Sequence, residues 1–175
     1  MQNARDARQP ARSEYADCYH GYVQSAPSGE IVQVLRDQRE STLQVFGQIP
    51  PDKGAYGYAD GKWSINELIG HMLDTEWIFT YRALRFARGD TSPLVGMDQD
   101  EFVAGANFDD RELSSLIAEF AHVRAANVTL FESFDESVMQ RKGTAFDCPF
   151  TVRSLLHIIA GHTQHHLNVL LERYS

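Results

Sequence analysis

The chain has little of several features that would place it in a familiar class of protein. Its two cysteines, Cys18 and Cys148, lie far apart and form no disulfide framework and no Cys-x-x-Cys metal or redox motif. Basic residues are outnumbered, 16 against 24 acidic, and the formal charge of −8 argues against nucleic acid as a partner. No apolar run approaches the roughly 20 residues of a membrane span, and the N-terminus lacks the apolar core of a signal peptide. We therefore expect a cytoplasmic protein with neither a nucleic-acid nor a membrane partner.

What remains is the composition of one globular domain. The 175 residues, 43% of them hydrophobic, are enough to bury a core without disulfides or structural metals. Residues 1–27 are polar, contain Pro10 and Pro27 and show no clear period. We expect them to form an irregular or flexible N-terminal arm, ahead of a single domain over residues 28–175.

The domain carries helical rather than strand periodicity. Apolar residues recur every three or four positions in four segments, at about residues 30–48, 64–88, 110–131 and 151–174. Ser64 and Glu67 form a capping-box motif at the start of the second segment. Residues 90–108 are expected to be a long loop, and residues 138–150 a short hairpin or an extended loop. Four amphipathic helices without an alternating strand pattern predict an all-α, four-helix bundle.

Four of the seven histidines, at positions 157, 162, 165 and 166, lie on the last predicted helix. At about 100° per residue, His162 and His166 fall within its apolar arc, one turn apart. His157 and His165 fall on the opposite, polar arc and are expected to face solvent. A buried imidazole must have its nitrogens paired. The spacing leaves two readings open, since His162 and His166 are either two separately paired core histidines or two ligands of one metal ion.

A metal site would need at least one more ligand from a facing helix. His71, near the middle of the second helix, is the candidate, with the carboxylate of Glu67 or Asp74 close enough in sequence to orient its ring. Three histidines without a fourth protein ligand are typical of a catalytic zinc site, because one position stays open to water or substrate.

The sequence matches the motifs of other metal or anion sites only in part. Thr163 stands where an H-E-x-x-H protease motif needs its glutamate, and only Glu119 and His122 match the paired Glu-x-x-His pattern of ferritin-like di-iron sites. Three arginines near the end of the second helix, Arg82, Arg85 and Arg88, are interpreted as a solvated face rather than as an anion site.

Taken in order, three segments of the chain resemble the DinB/YfiT-like superfamily. They are Gly61-Lys62-Trp63-Ser64, Gly70-His71-Met72-Leu73-Asp74-Thr75-Glu76 and Gly161-His162-Thr163-Gln164-His165-His166-Leu167. The resemblance covers roughly residues 30–174. It implies an up-down-down-up four-helix bundle, often a homodimer, with a divalent metal held by three histidines, which map onto His71, His162 and His166.

The resemblance also sets the functional expectation. It implies a metal-dependent enzyme acting on a small molecule, either a thiol S-transferase that uses a low-molecular-weight thiol or a hydrolase. Zinc or nickel is expected before iron. Asp74 matches an acidic residue common in the family, and the resemblance gives it a catalytic role, as a proton acceptor or as a group that orients His71. Two alternatives remain, a non-catalytic metal-binding or stress-linked bundle and a metal-free helical interaction protein.

Overall fold

A computed structural model describes residues 9–174, and helices dominate this range. The α-helices are α1 (His20–Ser25), α2 (Ile31–Phe46), α3 (Ile65–Ala87), α4 (Gln99–Ala106), α5 (Leu113–Glu132), α6 (Glu136–Met139) and α7 (Val152–Arg173). Two strands, β1 (Lys142–Ala145) and β2 (Cys148–Thr151), form an antiparallel hairpin. Within residues 9–174, no helix combines the length and the apolar character that crossing a membrane requires.

The four long helices α2, α3, α5 and α7 form the bundle that the sequence predicts. Both α3 and α2 pack against α5 and α7. Helices that are consecutive among these four, α2 and α3 or α5 and α7, therefore face each other across the bundle. The prediction of an all-α four-helix bundle is confirmed, with one small hairpin added to it.

The core of the bundle consists of two apolar clusters with a polar layer between them. One cluster joins the C-terminal half of α3 to α1 and the first half of α7, and the other joins the N-terminal half of α3 to the first half of α5 and the end of α7. Between them lie buried polar side chains of all four long helices: Gln38, His71, Thr75, Glu76, Arg124, Asn127, His162, Thr163 and His166. Buried polar groups need partners, so this layer is where the fold has specific geometry to satisfy.

The two helices that matter most for this layer begin with complete caps. Ser64 Oγ accepts from the backbone N–H of Glu67, and the Glu67 carboxylate accepts from the backbone N–H of Ser64, as the capping-box motif predicts. At the start of α7, Thr151 and Ser154 form the same reciprocal pair, with serine in place of the usual acidic residue. Each cap fixes where its helix starts and so which residues face inward.

The connection after α3 differs from the sequence expectation. Residues 90–108 were expected to be a loop, but Gln99–Ala106 is a helix, α4, that packs on α3. Its short length and weak apolar pattern hide it from periodicity, and Asp98 supplies the start signal by accepting from the N–H groups of Asp100 and Glu101. The hairpin expected within residues 138–150 is present as β1 and β2.

The segment before α2 is also more ordered than an irregular arm. Its helix α1 packs along α7, with Val23 fully buried. Further towards the N-terminus, the buried Glu14 accepts from Thr151 Oγ1 and pairs with Arg153, and its backbone carbonyl accepts from Ser154 Oγ. These contacts attach the segment to the first turn of α7. Residues 1–8 lie outside the described residues, and the boundary at residue 27 stays a prediction.

Gly161 explains how closely α1 approaches α7. A Cβ atom at this position would lie 1.7 Å from the backbone carbonyl oxygen of Tyr22, far inside van der Waals contact. Glycine in the middle of a helix costs about 1 kcal/mol relative to alanine, so its presence here marks a position where any side chain would displace α1.

We predict that Gly161→Ala destabilises the protein by about 1–3 kcal/mol, because backbone rather than a flexible side chain occupies the space of the new methyl group. Thermal or chemical unfolding measures the change, and limited proteolysis should show earlier cleavage before α2. Gly21→Ala is the matched control, since a Cβ there meets nothing within 4 Å. Equal stability of the two variants would contradict the close packing of α1 on α7.

Candidate metal centre

Three buried histidines converge in the polar layer. His71 comes from the middle of α3, and His162 and His166 come from successive turns of α7. The Nε2 atom of His162 lies 3.0 Å from that of His71 and 3.1 Å from that of His166. All three offer a ligand atom within 4.8 Å of the other two. The helical-wheel prediction that His162 and His166 face the core holds in the structure.

Hydrogen bonding cannot satisfy this arrangement. A neutral imidazole nitrogen carries either one N–H or one lone pair, so His162 Nε2 forms one good hydrogen bond with its two neighbours and leaves the other contact unpaired. His166 Nδ1 is buried without a partner among residues 9–174 as well. A metal ion removes the conflict, since nitrogens each bound about 2.1 Å from one ion lie about 3.0 Å apart at a right angle and about 3.4 Å apart at a tetrahedral angle. The residues present therefore fit a divalent ion.

The protonation state suits the same role. Burial, with a smaller contribution from neighbouring histidines, lowers the pKa of His71 to about 4 and that of His166 to about 3. Burial, followed by His166 and His71, holds the pKa of His162 well below its usual value. All three rings are neutral at pH 7, which is the form that binds a metal.

Aromatic side chains cover the cluster from two sides. Trp63, the residue just before the cap of α3, has its ring centroid 4.7 Å from that of His71. Tyr22 of α1 meets the His162 ring edge-on at 5.2 Å. Trp63 is held in turn by Tyr174, whose hydroxyl donates to the Trp63 carbonyl at 2.7 Å. These rings limit the orientations that the histidines can adopt.

A buried ion pair supports α7 next to the cluster. Arg124 of α5, with no exposed surface, donates to both carboxylate oxygens of Glu76 on α3, at 2.6 and 2.8 Å. It also donates to Thr163 Oγ1 at 2.9 Å and to Gln38 Oε1 of α2 at 3.2 Å. The network joins all four long helices and fixes the rotation of α7 at the residue beside His162. The sequence offers a signal for it, since Glu76 and Arg124 interrupt otherwise apolar faces.

Two cavities border the histidine cluster. The larger, about 670 Å³, is lined by His71 and His162 and extends along α3 past Thr75 and Phe79 to Arg82. The smaller, about 290 Å³, is lined by His165 and His166. Asp100 of α4 lines both. The cluster is thus buried but can be reached by a small molecule.

The remaining histidines do not join the cluster. His165 is exposed, as expected. The expectation that His157 faces solvent is wrong, since only 4% of it is exposed and its Nδ1 lies 3.0 Å from the Arg153 carbonyl oxygen. The helical wheel placed it on a polar arc, and that arc is covered by the segment before α2, whose Glu14 and Glu30 lie near enough to affect the pKa of His157.

The position of Asp74 does not match a group in contact with the site. It is half-buried, and burial together with Glu119 of α5 raises its pKa. Among the hydrogen bonds found for residues 9–174, none joins Asp74 to His71, and Asp74 lines neither cavity beside the histidines. The carboxylate expected to orient His71 is therefore not in place for that contact, because Asp74 faces α5 instead.

Arg82 is a further residue whose environment differs from the sequence expectation. It was interpreted as part of a solvated face, but only 4% of it is exposed and it lines the larger cavity. Its spacing from His71 and Thr75, at 11 and 7 residues along α3, puts all three on one helical face and was the available signal.

A family model decides the relationship of the chain to known proteins. The model of the DinB superfamily matches residues 35–170. The chain belongs to the DinB superfamily. A search of curated proteins finds no match.

Two solved structures share the fold of this DinB-superfamily chain. YfiT from Bacillus subtilis, described as a proposed metal-dependent hydrolase with an unusual four-helix bundle topology, is 14% identical with a TM-score of 0.68, covering 93% of this chain and 89% of its own. A mycothiol-dependent maleylpyruvate isomerase is 13% identical with a TM-score of 0.68, covering 83% of this chain and 61% of its own. At these identities the likeness concerns the fold.

The lowered pKa values predict a pH dependence of the metal-free protein. Between about pH 6.5 and pH 4 the unfolded chain binds protons at His71 and His166 that the folded chain does not, so stability falls as the pH falls, by up to about 1.4 kcal/mol per pH unit for each group. Unfolding in urea at a series of pH values, after chelation, measures the slope.

Substitutions show which histidines cause the change of stability with pH. Replacing His71 and His166 together by glutamine should reduce the slope over this window by the share of these two rings. The buried His162 and His157 keep their share. Replacing the exposed His122 by glutamine should leave the slope unchanged. An equal slope in wild type and double variant would show that the rings of His71 and His166 do not cause it.

Proposed function

We propose that His71, His162 and His166 bind one divalent transition metal and that the protein is a metal-dependent enzyme acting on a small molecule. The observation that carries the proposal is the meeting of three buried, neutral imidazole nitrogens, 3.0 and 3.1 Å apart, at a cluster whose His71 and His162 line a cavity of about 670 Å³. An all-imidazole set suits zinc, nickel or iron, and we place zinc and nickel first.

Three protein ligands leave a position for substrate or solvent. An ion held there would lower the pKa of a thiol or water that binds to it and so supply a nucleophile at neutral pH. The chain itself contributes the cover of Trp63 and Tyr22 and the cavity that admits the substrate. The fold neighbours, a proposed metal-dependent hydrolase and a mycothiol-dependent isomerase, support an enzyme in general, and a hydrolase or a thiol-dependent transferase is the reaction class that we propose.

Other family expectations are part of the same proposal. A low-molecular-weight thiol would serve as cosubstrate in the transferase reaction, and the chain would act as a homodimer in the cytoplasm. Sedimentation velocity of the purified protein measures the dimer directly.

Metal content is the first test. Elemental analysis of wild-type protein loaded and then desalted should find about one transition-metal ion per chain, and His166→Ala should lose it because one of three ligands is missing. His165→Ala is the matched control, since this neighbouring ring is exposed and lies outside the cluster. His157→Ala should also retain the ion. Loss of the ion from His165→Ala with retention in His166→Ala would overturn the ligand assignment.

The same variants separate an enzyme from a binding module. Loaded wild type and His165→Ala should catalyse either conjugation of a thiol to 1-chloro-2,4-dinitrobenzene or hydrolysis of 4-nitrophenyl acetate, and His166→Ala should not. Stoichiometric metal with inactivity in both assays would favour the non-catalytic, metal-binding alternative.

The catalytic carboxylate has two candidates. The role of Asp74 stays a prediction from the family resemblance, while Asp100 is the acidic residue that lines both cavities beside the histidines. General acid–base catalysis contributes about 100-fold or more, and it requires a group within reach of the substrate. We therefore expect Asp100→Asn to lower turnover by about 100-fold and Asp74→Asn to leave it within about twofold, with metal retained in both.

These rates are measured on whichever of the two reactions the wild type catalyses, with elemental analysis of each variant alongside. The opposite order, with Asp74→Asn slow and Asp100→Asn normal, would return the role to Asp74.

A further inference from the structure

Arg82 is a buried cation without an anionic partner in the part of the chain that the structure describes. Only 4% of the residue is exposed, yet none of the ion pairs found within residues 9–174 includes it. Its contacts there are with neutral groups: a long hydrogen bond from Nη2 to the Val95 carbonyl oxygen at 3.3 Å, and the hydroxyl of Tyr19, whose pKa is raised by burial and lowered in part by Arg82. The contrast with Arg124 is direct, because that buried arginine has a bidentate carboxylate partner. Burying a charge is costly unless a partner compensates it.

The guanidinium points into the cavity that reaches the histidines. It lies 5.0 Å from the ring centroid of Phe79, one turn back along α3 towards His71, where the ring face attracts the cation but does not neutralise it. At 1.5 Å per residue, Phe79 and His71 are about 12 Å apart along the helix axis. Arg82 and the cluster therefore stand at two ends of one elongated cavity.

An unsatisfied polar group lies between these ends. Thr75 Oγ1 is buried without a hydrogen-bond partner among the described residues, and Thr75 lines the same cavity. The wall formed by α3 thus presents, in order, an imidazole, an unpaired hydroxyl, an aromatic ring and a guanidinium without an anionic partner within residues 9–174. An orphaned hydroxyl and an uncompensated charge in one cavity are two features that a bound polar ligand would satisfy.

The described residues that face α3 across the cavity leave Arg82 without a carboxylate partner. Tyr19, from the segment before α2, packs edge-on against Phe79, and Arg82 opposes the rise that burial gives to the pKa of Tyr19. Of the two acidic residues lining the cavity, Asp98 is committed to the start of α4, where it accepts two backbone N–H groups. Asp100 lies at the histidine end, which is shared with the smaller cavity. Arg82 is the one arginine or lysine among the residues within 9–174 that line this cavity, so its end carries the cationic group.

We propose that the cavity binds an elongated small molecule through a terminal oxyanion, a carboxylate or a phosphate, that pairs with Arg82 while the opposite end of the molecule reaches the three histidines. The planar guanidinium matches both oxyanions bidentately, and the low dielectric of the buried site strengthens the pairing. The proposal deepens the proposed function, and only the part concerning the histidine end rests on it.

Calorimetric titration of full-length protein with three aromatic probes tests the site. The probes are 4-phenylbutyrate, 3-phenylpropyl phosphate and the uncharged 4-phenylbutyramide. Wild type should bind at least one of the two anions about tenfold or more tightly than the amide, because a charge-assisted hydrogen bond is lost with the amide. The anion that is preferred identifies the carboxylate or the phosphate as the natural group.

Substitutions assign the preference to Arg82. Arg82→Met keeps the aliphatic stem and removes the charge, so it should bind anion and amide equally, whereas Arg82→Lys should recover part of the preference. Arg85→Met is the matched control, since Arg85 pairs with Asp90 and does not line the cavity. Thermal unfolding of each variant shows whether it remains folded. An anion preference that survives in Arg82→Met, or that is absent from wild type, would overturn the proposal.

The His162→Ala background separates this site from the metal. If Arg82 binds the oxyanion, the preference persists in His162→Ala, whether or not that variant holds an ion. A preference lost in His162→Ala and kept in Arg82→Met would show that the anions bind at the metal, which overturns the Arg82 site and leaves the proposed function standing. If wild type holds no metal and its preference for the anions still depends on Arg82, the proposed function is overturned and the Arg82 site stands.

Discussion

The ion pair between Arg124 and Glu76 is the contact on which the arrangement of the bundle depends. Removing both charges from water costs free energy, and the hydrogen bonds of the pair offset that cost. These hydrogen bonds reach all four long helices. A helix that rotated or slid would leave a buried charge unpaired. We attribute to this network the fixed rotation of α7, which places Thr163 towards Arg124 and the two neighbouring ligand histidines towards His71.

The sequence predicts the parts of the molecule that follow a period or a motif. Helical spacing identifies the bundle, the capping box at Ser64 marks the start of α3, and the wheel separates His162 and His166 from His165. Periodicity does not reveal α4, because that helix is short. It also misplaces His157, because the period of one helix does not show which other segment covers it. The segment before α2 covers that face of α7, and its lack of a period concealed its packing.

The same limit explains the misplacement of two residues. Asp74 lies one turn from His71 in sequence, but its side chain faces Glu119 on α5. Arg82 belongs to a run of arginines at exposed-looking positions, and only the cavity between α3 and the N-terminal segment shows that it is buried. Contacts between elements that are distant in the chain decide both cases. The polar layer of the core, with its unpaired groups, is therefore more informative about function than the surface charge.

The proposed metal centre requires that three imidazole nitrogens of this chain bind one metal ion. The decisive measurement is anomalous diffraction from a crystal of the metal-loaded protein, recorded on both sides of the absorption edge of that metal. We expect a single anomalous peak about 2.1 Å from the Nε2 atoms of His71, His162 and His166, with no fourth protein ligand. A peak elsewhere, or three histidines joined to one another without a peak after loading, would contradict it.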